Sequence, residues 1–224
     1  MTHNLQIAIV DYGMGNLFSV RRACEFVGLD SKITTDKSII MDADGLILPG
    51  VGAFGDAMDN LRRLDLIDPI KDYIRSEKQF MGICLGMQLL FSKSEEFGNF
   101  KGLDIINGSV VRFPIINSNN EKIKVPQVGW NQIYKPSAKK KHWDKSPLKN
   151  INDGEFMYFV HSYYPKPLTT AVVLSTTTYE ETQFCSSILW KNVFACQFHP
   201  EKSSSEGIKI YKNWVSIIKN AKDV

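Results

Sequence analysis

From residue 5 to residue 91 the sequence alternates strand-length apolar runs with stretches of helical period. LQIAIV (5–10), GLILPG (45–50) and QFMGI (79–83) are the apolar runs, and helical patterns occupy 16–27, 54–63, 69–78 and 85–91. This alternation constrains the fold most strongly, because strands separated by helices pair in parallel and build an open sheet covered on both faces. Such sheets bind ligands beyond the carboxyl ends of their strands. The first helical stretch is punctuated at both ends: Asn16 can cap it, Leu17, Val20, Cys24 and Val27 share a face, and Gly28 can end it. Asp68 reads as a cap before Pro69 at a first helical position. After about residue 104 the pattern turns β-like, with runs near 105–113, 156–161, 171–175, 187–190 and 193–198. Helix returns at the end, where Ser203 and Glu206 have capping-box spacing and Ile210, Trp214, Ile217 and Ile218 form an apolar stripe. Residues 117–122 and 136–150 read as exposed loops. With no repeat and no linker composition, residues 1–224 are expected to form one α/β domain.

Composition supports this reading and excludes several function classes. With 43% hydrophobic and 23% charged residues, 224 residues suffice for one domain burying roughly 70% of its extended surface. No apolar run approaches the ~20 residues of a spanning helix, and Met1 leads almost directly into LQIAIV without leader-like features, so a soluble, cytoplasmic chain with no membrane partner is expected. A net charge of +3 gives no sign of nucleic-acid binding, and the basic run Lys139-Lys140-Lys141 reads as a solvated loop among Pro136, Ser137, Asp144, Ser146 and Pro147. The four cysteines, Cys24, Cys84, Cys185 and Cys196, are scattered without CxxC pairs, so neither disulfides nor a metal site is expected, and no cofactor.

Cys84 stands apart from the other three. It falls on the turn between the strand QFMGI and the helical start LGMQLLF, flanked by Gly82 and Gly86 as G-x-C-x-G. That is the spacing of a nucleophile elbow with sulfur in place of hydroxyl. A helix N-terminus favours a thiolate and offers unpaired N–H groups to a developing oxyanion. For Cys24, Cys185 and Cys196 a small buried hydrophobe is the simpler reading. A thiol nucleophile needs a base, and among His3, His142, His161 and His199 only His199 closes a strand and is followed by Pro200 and a carboxylate, Glu201. The carboxylate can hold the imidazole's tautomer and orientation, as acids do in triads. His161 is next in line. Gly50, Gly52 and Gly55 have the G-x-G-x-x-G spacing of a dinucleotide fingerprint, but the segment is not the first βα turn and no acidic strand-end residue follows for a ribose. A flexible strand that completes an oxyanion hole beside Cys84 is the better use of these glycines.

These residues carry a family resemblance. PGVG (49–52), GICLGMQ (82–88) and QFHPEKS (197–203) closely resemble the class I, triad-type glutamine amidotransferases. VDYGMGN (10–16), PGVGAFGDAM (49–58), VPQVGWN (125–131) and YFVHSYY (158–164) look like the branch of that family formed by glutaminase subunits of imidazole glycerol phosphate synthases. The stretch TTTYEETQFCSSI (176–188) departs from the glycine-bearing pattern expected before the penultimate strand.

The resemblance implies a flavodoxin-like fold, with a central, largely parallel sheet, flanking helices and additional β elements in the second half. It implies that Cys84, His199 and Glu201 form the catalytic triad. Leu85 and Val51 or Gly52 would hold the oxyanion, and Gln88, Glu96, Ser162 and Tyr163 would contact glutamine. The motifs occupy the chain from first strand to last helix, so the activity that consumes the ammonia is expected on a separate (β/α)₈ cyclase subunit forming a heterodimer and gating the reaction. Asn16, Trp130 and Asn131 are the expected partner contacts. A paralogous glutaminase serving surface-sugar amidation and a free-standing cysteine amidase are the alternatives.

Overall fold

The computed structural model describes residues 5–136 and 142–222. The lysine run at 139–141 and His3 lie outside them. Five strands form the parallel part of a seven-stranded sheet: β1 (Gln6–Val10), β2 (Asp30–Thr34), β3 (Gly45–Leu48), β4 (Gln79–Ile83) and β13 (Val193–Cys196). Their spatial order is β2-β1-β3-β4-β13, the doubly wound order of flavodoxin-like sheets, and every neighbouring pair is parallel. Two antiparallel strands, β12 (Thr182–Trp190) and β11 (Val173–Tyr179), extend the sheet beyond β13. A four-stranded sheet, ordered β10-β7-β5-β6, is built from β5 (Phe91–Ser94), β6 (Phe100–Lys101), β7 (Ile106–Arg112) and β10 (Tyr163–Pro167). A two-stranded ribbon pairs β8 (Gln127–Ile133) with β9 (Glu155–His161). The fold expected from the sequence is therefore present.

Alternation along the central strands feeds two cores. Ile7 and Ile9, Ile47, and Met81 and Ile83 point to one face, where α1 (Leu17–Phe26) and α6 (Ser204–Lys222) bury Val20, Cys24, Ile210 and Trp214. Ala8 and Val10, Leu46 and Leu48, and Phe80 point to the other, under α2 (Lys37–Asp42), α3 (Phe54–Arg63) and α4 (Ile67–Arg75). Both faces being covered explains why β3, β4 and β13 are apolar with little or no polar interruption.

Local punctuation holds at the first helix, where the Asn16 side chain accepts from the Ser19 N–H at 3.3 Å and Gly28 takes φ 77°. Elsewhere tertiary bonds overrule it. Helix α4 begins at Ile67, so Asp68 and Pro69 sit inside its first turn rather than at the cap. The helix after Cys84, α5, ends at Gln88 and Phe91 starts a strand, because the Leu89 and Leu90 carbonyls accept the N–H groups of Leu103, Ile105 and Ile106. Ser203 does not form a capping box: its hydroxyl binds backbone at 158 and 199, while Glu206 pairs with Lys209 at 2.6 Å. The segment read as a loop at 136–150 contains a 3₁₀ turn at His142–Lys145 and buries Trp143 and Leu148. In the departing stretch 176–188, β11 and β12 form a hairpin whose turn residue Glu180 takes φ 51°, a conformation glycine adopts at lower cost.

Candidate active site

The carboxyl ends of β3 and β4 deliver PGVG and GICLGMQ to one cleft, and QFHPEKS follows the carboxyl end of the neighbouring β13. At the end of β4, Cys84 has φ 54° and ψ −109°, a strained conformation for any residue but glycine. Its N–H donates to the Cys196 carbonyl at 2.8 Å, which ties the elbow to β13. Gly86 is required by close approach: a Cβ there would lie 1.8 Å from the Leu48 carbonyl oxygen of β3. Leu85, the first residue of α5, has an N–H with no preceding helical turn to bond to, so it is available to an oxyanion.

The PGVG segment runs directly over this elbow. A Cβ on Gly50 would lie 2.3 Å from the Tyr12 hydroxyl oxygen and 2.9 Å from Leu85 Cβ. Tyr12 donates to the Pro49 carbonyl at 2.9 Å and anchors the segment; burial, and then the neighbouring Cys84, push its phenol upward, so it stays a donor. Beyond the anchor, Val51 and Gly52 line the cleft, and Gly52 has φ 104°.

His199 is held from several directions. Its N–H donates to the Tyr158 carbonyl of β9 at 2.9 Å, and its own carbonyl accepts the Ser203 hydroxyl at 2.7 Å. Ser203 in turn accepts the Tyr158 N–H at 3.0 Å, which locks β9 to the histidine. A 3₁₀ turn at Pro200–Lys202 brings Glu201 back toward the ring, with Nδ1 and Oε1 2.7 Å apart and side chains only 2% and 1% exposed. A carboxylate accepts, so Nδ1 carries hydrogen and Nε2 is left for the thiol side; among the described residues it makes no hydrogen bond, but it couples electrically to Cys84. Burial pushes the His199 imidazole down, but the Cys84 charge and hydrogen-bonding capacity, followed by Glu201, lift it well above its ordinary range. The arrangement therefore favours an imidazolium beside the Cys84 sulfur.

The cleft measures about 290 Å³ and is lined by Val51, Gly52, Cys84, Leu85, Gln88 and Glu96, together with Pro126 and residues 160–163. The expected glutamine-contacting residues are thus gathered around the expected nucleophile. Glu96 also accepts the Phe54 N–H at 2.7 Å, capping α3 from 42 residues away where Ala53 offers no side-chain cap. Burial raises its carboxyl, the Phe54 bond opposes this, and Asp56 adds to it. Gln88 is buried, and its amide nitrogen donates to the Tyr163 carbonyl and to Gln197 Oε1, both at 2.9 Å. It is therefore no surface helix residue. The Ser162 carbonyl accepts the Phe113 N–H at 3.0 Å.

His161, next in line as base, is placed differently. Its Nδ1 lies 2.8 Å from the Tyr163 carbonyl, so that nitrogen is the donor, and Phe113, Phe159 and Phe184 surround the ring. Burial, opposed by the Tyr163 bond and reinforced by His199, lowers it to about 4. It is neutral where His199 is charged. Between pH 6.5 and 4 the unfolded chain binds this proton and the folded chain does not, so stability falls as pH falls. The loss should reach on the order of 3 kcal/mol, and the acid limb of the urea midpoint against pH should flatten in His161→Gln.

The expected partner residues are occupied to different degrees. Trp130 is 52% exposed on the outer face of the β8–β9 ribbon, between Val128 at 55% and Phe156 at 50%, with its edge against Tyr158. This apolar strip continues to Val160, and so to the cleft rim. Asn131 binds the Thr178 carbonyl and the Gln132 N–H, and Asn16 caps α1. Sequence reading missed Ser203 and Gln197. Gln197 opens the QFHPEKS motif two residues before His199, which is the signal that could have found it.

Comparison with known proteins gives the family. The sequence profile of the family described as glutamine amidotransferase class-I matches residues 8–217. The chain is similar to "Imidazole glycerol phosphate synthase subunit HisH" of Syntrophotalea carbinolica, with 47% identity over 211 residues, covering 93% of this chain and 98% of that protein. It is similar to the proteins of that name from Caldanaerobacter subterraneus subsp. tengcongensis, at 47% identity over 95% and 98% of the two chains, and Aquifex aeolicus, at 46% over 94% and 96%. Among solved structures, PurLQS from Thermotoga maritima aligns with TM-score 0.69 and 20% identity, covering 98% of this chain and 99% of that chain. A glutamine amidotransferase from Thermotoga maritima aligns with TM-score 0.58 and 17% identity over 99% and 85% of the chains.

Proposed function

Because the chain belongs to the class I glutamine amidotransferase family, we propose that it is the glutaminase subunit of an imidazole glycerol phosphate synthase. It hydrolyses glutamine to glutamate and passes the ammonia to a cyclase subunit that makes imidazole glycerol phosphate and AICAR in histidine biosynthesis. The observation that carries the chemistry is the strained Cys84 elbow at the cleft with the buried, Glu201-oriented His199 electrostatically coupled to it. The relatives at 46–47% identity favour the histidine branch over surface-sugar amidation.

In this reading the Cys84 thiolate attacks the side-chain amide carbon of glutamine, and the carbonyl electrons move to an oxyanion held by the Leu85 N–H and by a Val51 or Gly52 N–H. Collapse of the adduct breaks the C–N bond while imidazolium His199 gives its proton to the departing nitrogen. The sulfur is now a neutral thioester. The Cys84 contributions that raised His199 vanish with the thiolate charge, so the imidazole is poised to take a proton from water. Hydroxide adds to the thioester, the thiolate leaves, and glutamate and the ion pair are regenerated. Gln88, Glu96 and the backbone at Ser162 and Tyr163 hold the amino-acid end, the half-buried Glu96 carboxylate suiting an ammonium.

The partner is a (β/α)₈ cyclase, and the apolar strip of Val128, Trp130 and Phe156 is the surface it covers, with Asn16 at the neighbouring loop. The gate is the peptide beside Val51, since Gly50 and Gly52 allow that segment to turn an N–H toward the oxyanion only when the partner is loaded. Glutamine hydrolysis should be measured for the purified chain, with the cyclase, and with the cyclase and its nucleotide ligand. At least a tenfold rise between the first and last is expected. A full rate in the chain alone, or equal rates on unrelated amides, would favour a free-standing amidase instead.

A further inference from the structure

We propose that Gln197 is a neutral hydrogen-bond donor that holds the Cys84 sulfur in its attacking position, and that Gln88 is a positioning residue fixing which end of the Gln197 carboxamide faces the sulfur. The inference rests on Cys84 being the nucleophile of the glutaminase reaction proposed above.

The chain of bonds starts at a main-chain carbonyl, whose polarity cannot be reversed. Tyr163 O accepts from a carboxamide end of Gln88 at 2.9 Å, so that end is the NH₂ group. The same nitrogen has a second hydrogen, which reaches Gln197 Oε1 at 2.9 Å. The other end of Gln197 is then its NH₂ group, and it lies 3.5 Å from Cys84 Sγ, within hydrogen-bond range for sulfur. Turning either amide over would set oxygen against oxygen, or oxygen against a thiolate. Tyr163 O, by also accepting His161 Nδ1–H, fixes the neighbouring imidazole as well. Gln197 is fully buried, and Gln88 and Cys84 are 5% exposed at the cleft wall, so the donor acts on the sulfur with little competition from water.

Such a donor complements His199. The imidazole changes charge twice in each turnover, and its hold on the sulfur changes with it. A carboxamide does not titrate, so Gln197 keeps the sulfur placed while His199 gives up and regains its proton. If Gln88 and Gln197 only filled core volume, methionine, which has similar length, would replace them with little effect on the thiol.

The test uses the full chain with its cyclase partner and reads two quantities: the rate of Cys84 alkylation by iodoacetamide at pH 7, followed by peptide mass, and glutaminase kcat and KM. Gln197→Met is expected to slow alkylation about tenfold and to lower kcat about tenfold, with KM within about twofold. Gln197→Glu, which still accepts from Gln88 but presents oxygen to the sulfur, should slow alkylation further. Gln88→Met should slow it severalfold, and the double Met variant should be no slower than Gln197→Met alone, since the two act in series. Wild-type alkylation in Gln197→Met, or additive losses in the double variant, would overturn the relay. Should Gln197→Met fail to fold, Gln88→Met decides, because it leaves Gln197 in place: unchanged alkylation there refutes the proposal. Absence of glutamine turnover in the wild-type complex would instead reject the glutaminase reading itself.

Discussion

Cys84→Ala is expected to abolish glutamine-dependent turnover, a loss on the order of 10⁴-fold or more, while partner binding and fold persist. Sulfur is the atom expected to form the thioester, and Cys84 is the cleft residue set on the strained elbow at the end of β4. Alanine fits the elbow because it needs no more room than cysteine at the same φ of 54°. The conformation supplies a second readout. A non-glycine residue there stores about 1–3 kcal/mol of strain, so Cys84→Gly should also be inactive yet melt at higher temperature than the wild-type chain. Inactive and more stable is the signature of a residue kept for chemistry. Substantial residual hydrolysis in either variant would move the nucleophile elsewhere, and a lower melting temperature for the glycine variant would refute the strain.

The parallel sheet was legible because its strands are buried on both faces and therefore read as apolar blocks, QFMGI being the plainest. Strand β8 was not, since QVGWNQI mixes Gly129 with polar residues; it is a strand because each of its residues pairs with β9, a partner more than 20 residues away. Edge strand β2, DSKIT, hides for the related reason that only one of its five residues is fully buried. The brevity of α5 could not be read from LGMQLLF, because the bonds that end it come from residues 103–106.

The same division runs through the site. Cys84, His199 and Glu201 announced themselves by local context: paired glycines that the tight elbow demands, and a proline that turns the carboxylate back onto the ring. Gln88 was singled out for the cleft, but its link to Gln197 joins positions 109 residues apart and leaves no local mark. Ser203 misled for an instructive reason. Its spacing to Glu206 is that of a capping box, yet its hydroxyl binds the His199 carbonyl and the Tyr158 N–H, and Gly207 lets α6 approach until a Cβ would sit 1.9 Å from the Pro200 carbonyl. The helix end is thus shaped around the His199–Glu201 turn, and a hydroxyl with capping spacing is redirected to the proposed base.

His199→Ala should lower kcat by 10²-fold or more, since a positioned acid and base is worth about that much and this residue serves as both. A structural histidine would produce a loss of stability instead, so the decisive measurement is the dependence of Cys84 alkylation on pH. In the wild-type chain burial pushes His199 down, but the neighbouring Cys84 and then Glu201 lift it well above its ordinary range, so a charged imidazole stands beside the sulfur. Removing the imidazole should slow alkylation at pH 7, and raising the pH should restore it, because hydroxide can then generate the thiolate that His199 no longer supports. Turnover should not recover with it, since the variant still lacks the proton for departing ammonia. Glu201→Gln should fall between the two, retaining the ring but weakening a bond now 2.7 Å long between two buried groups. Alkylation and turnover that both survive in His199→Ala would assign proton transfer to another group, His161 being next because its Nδ1–H bond to the Tyr163 carbonyl leaves Nε2 unprotonated.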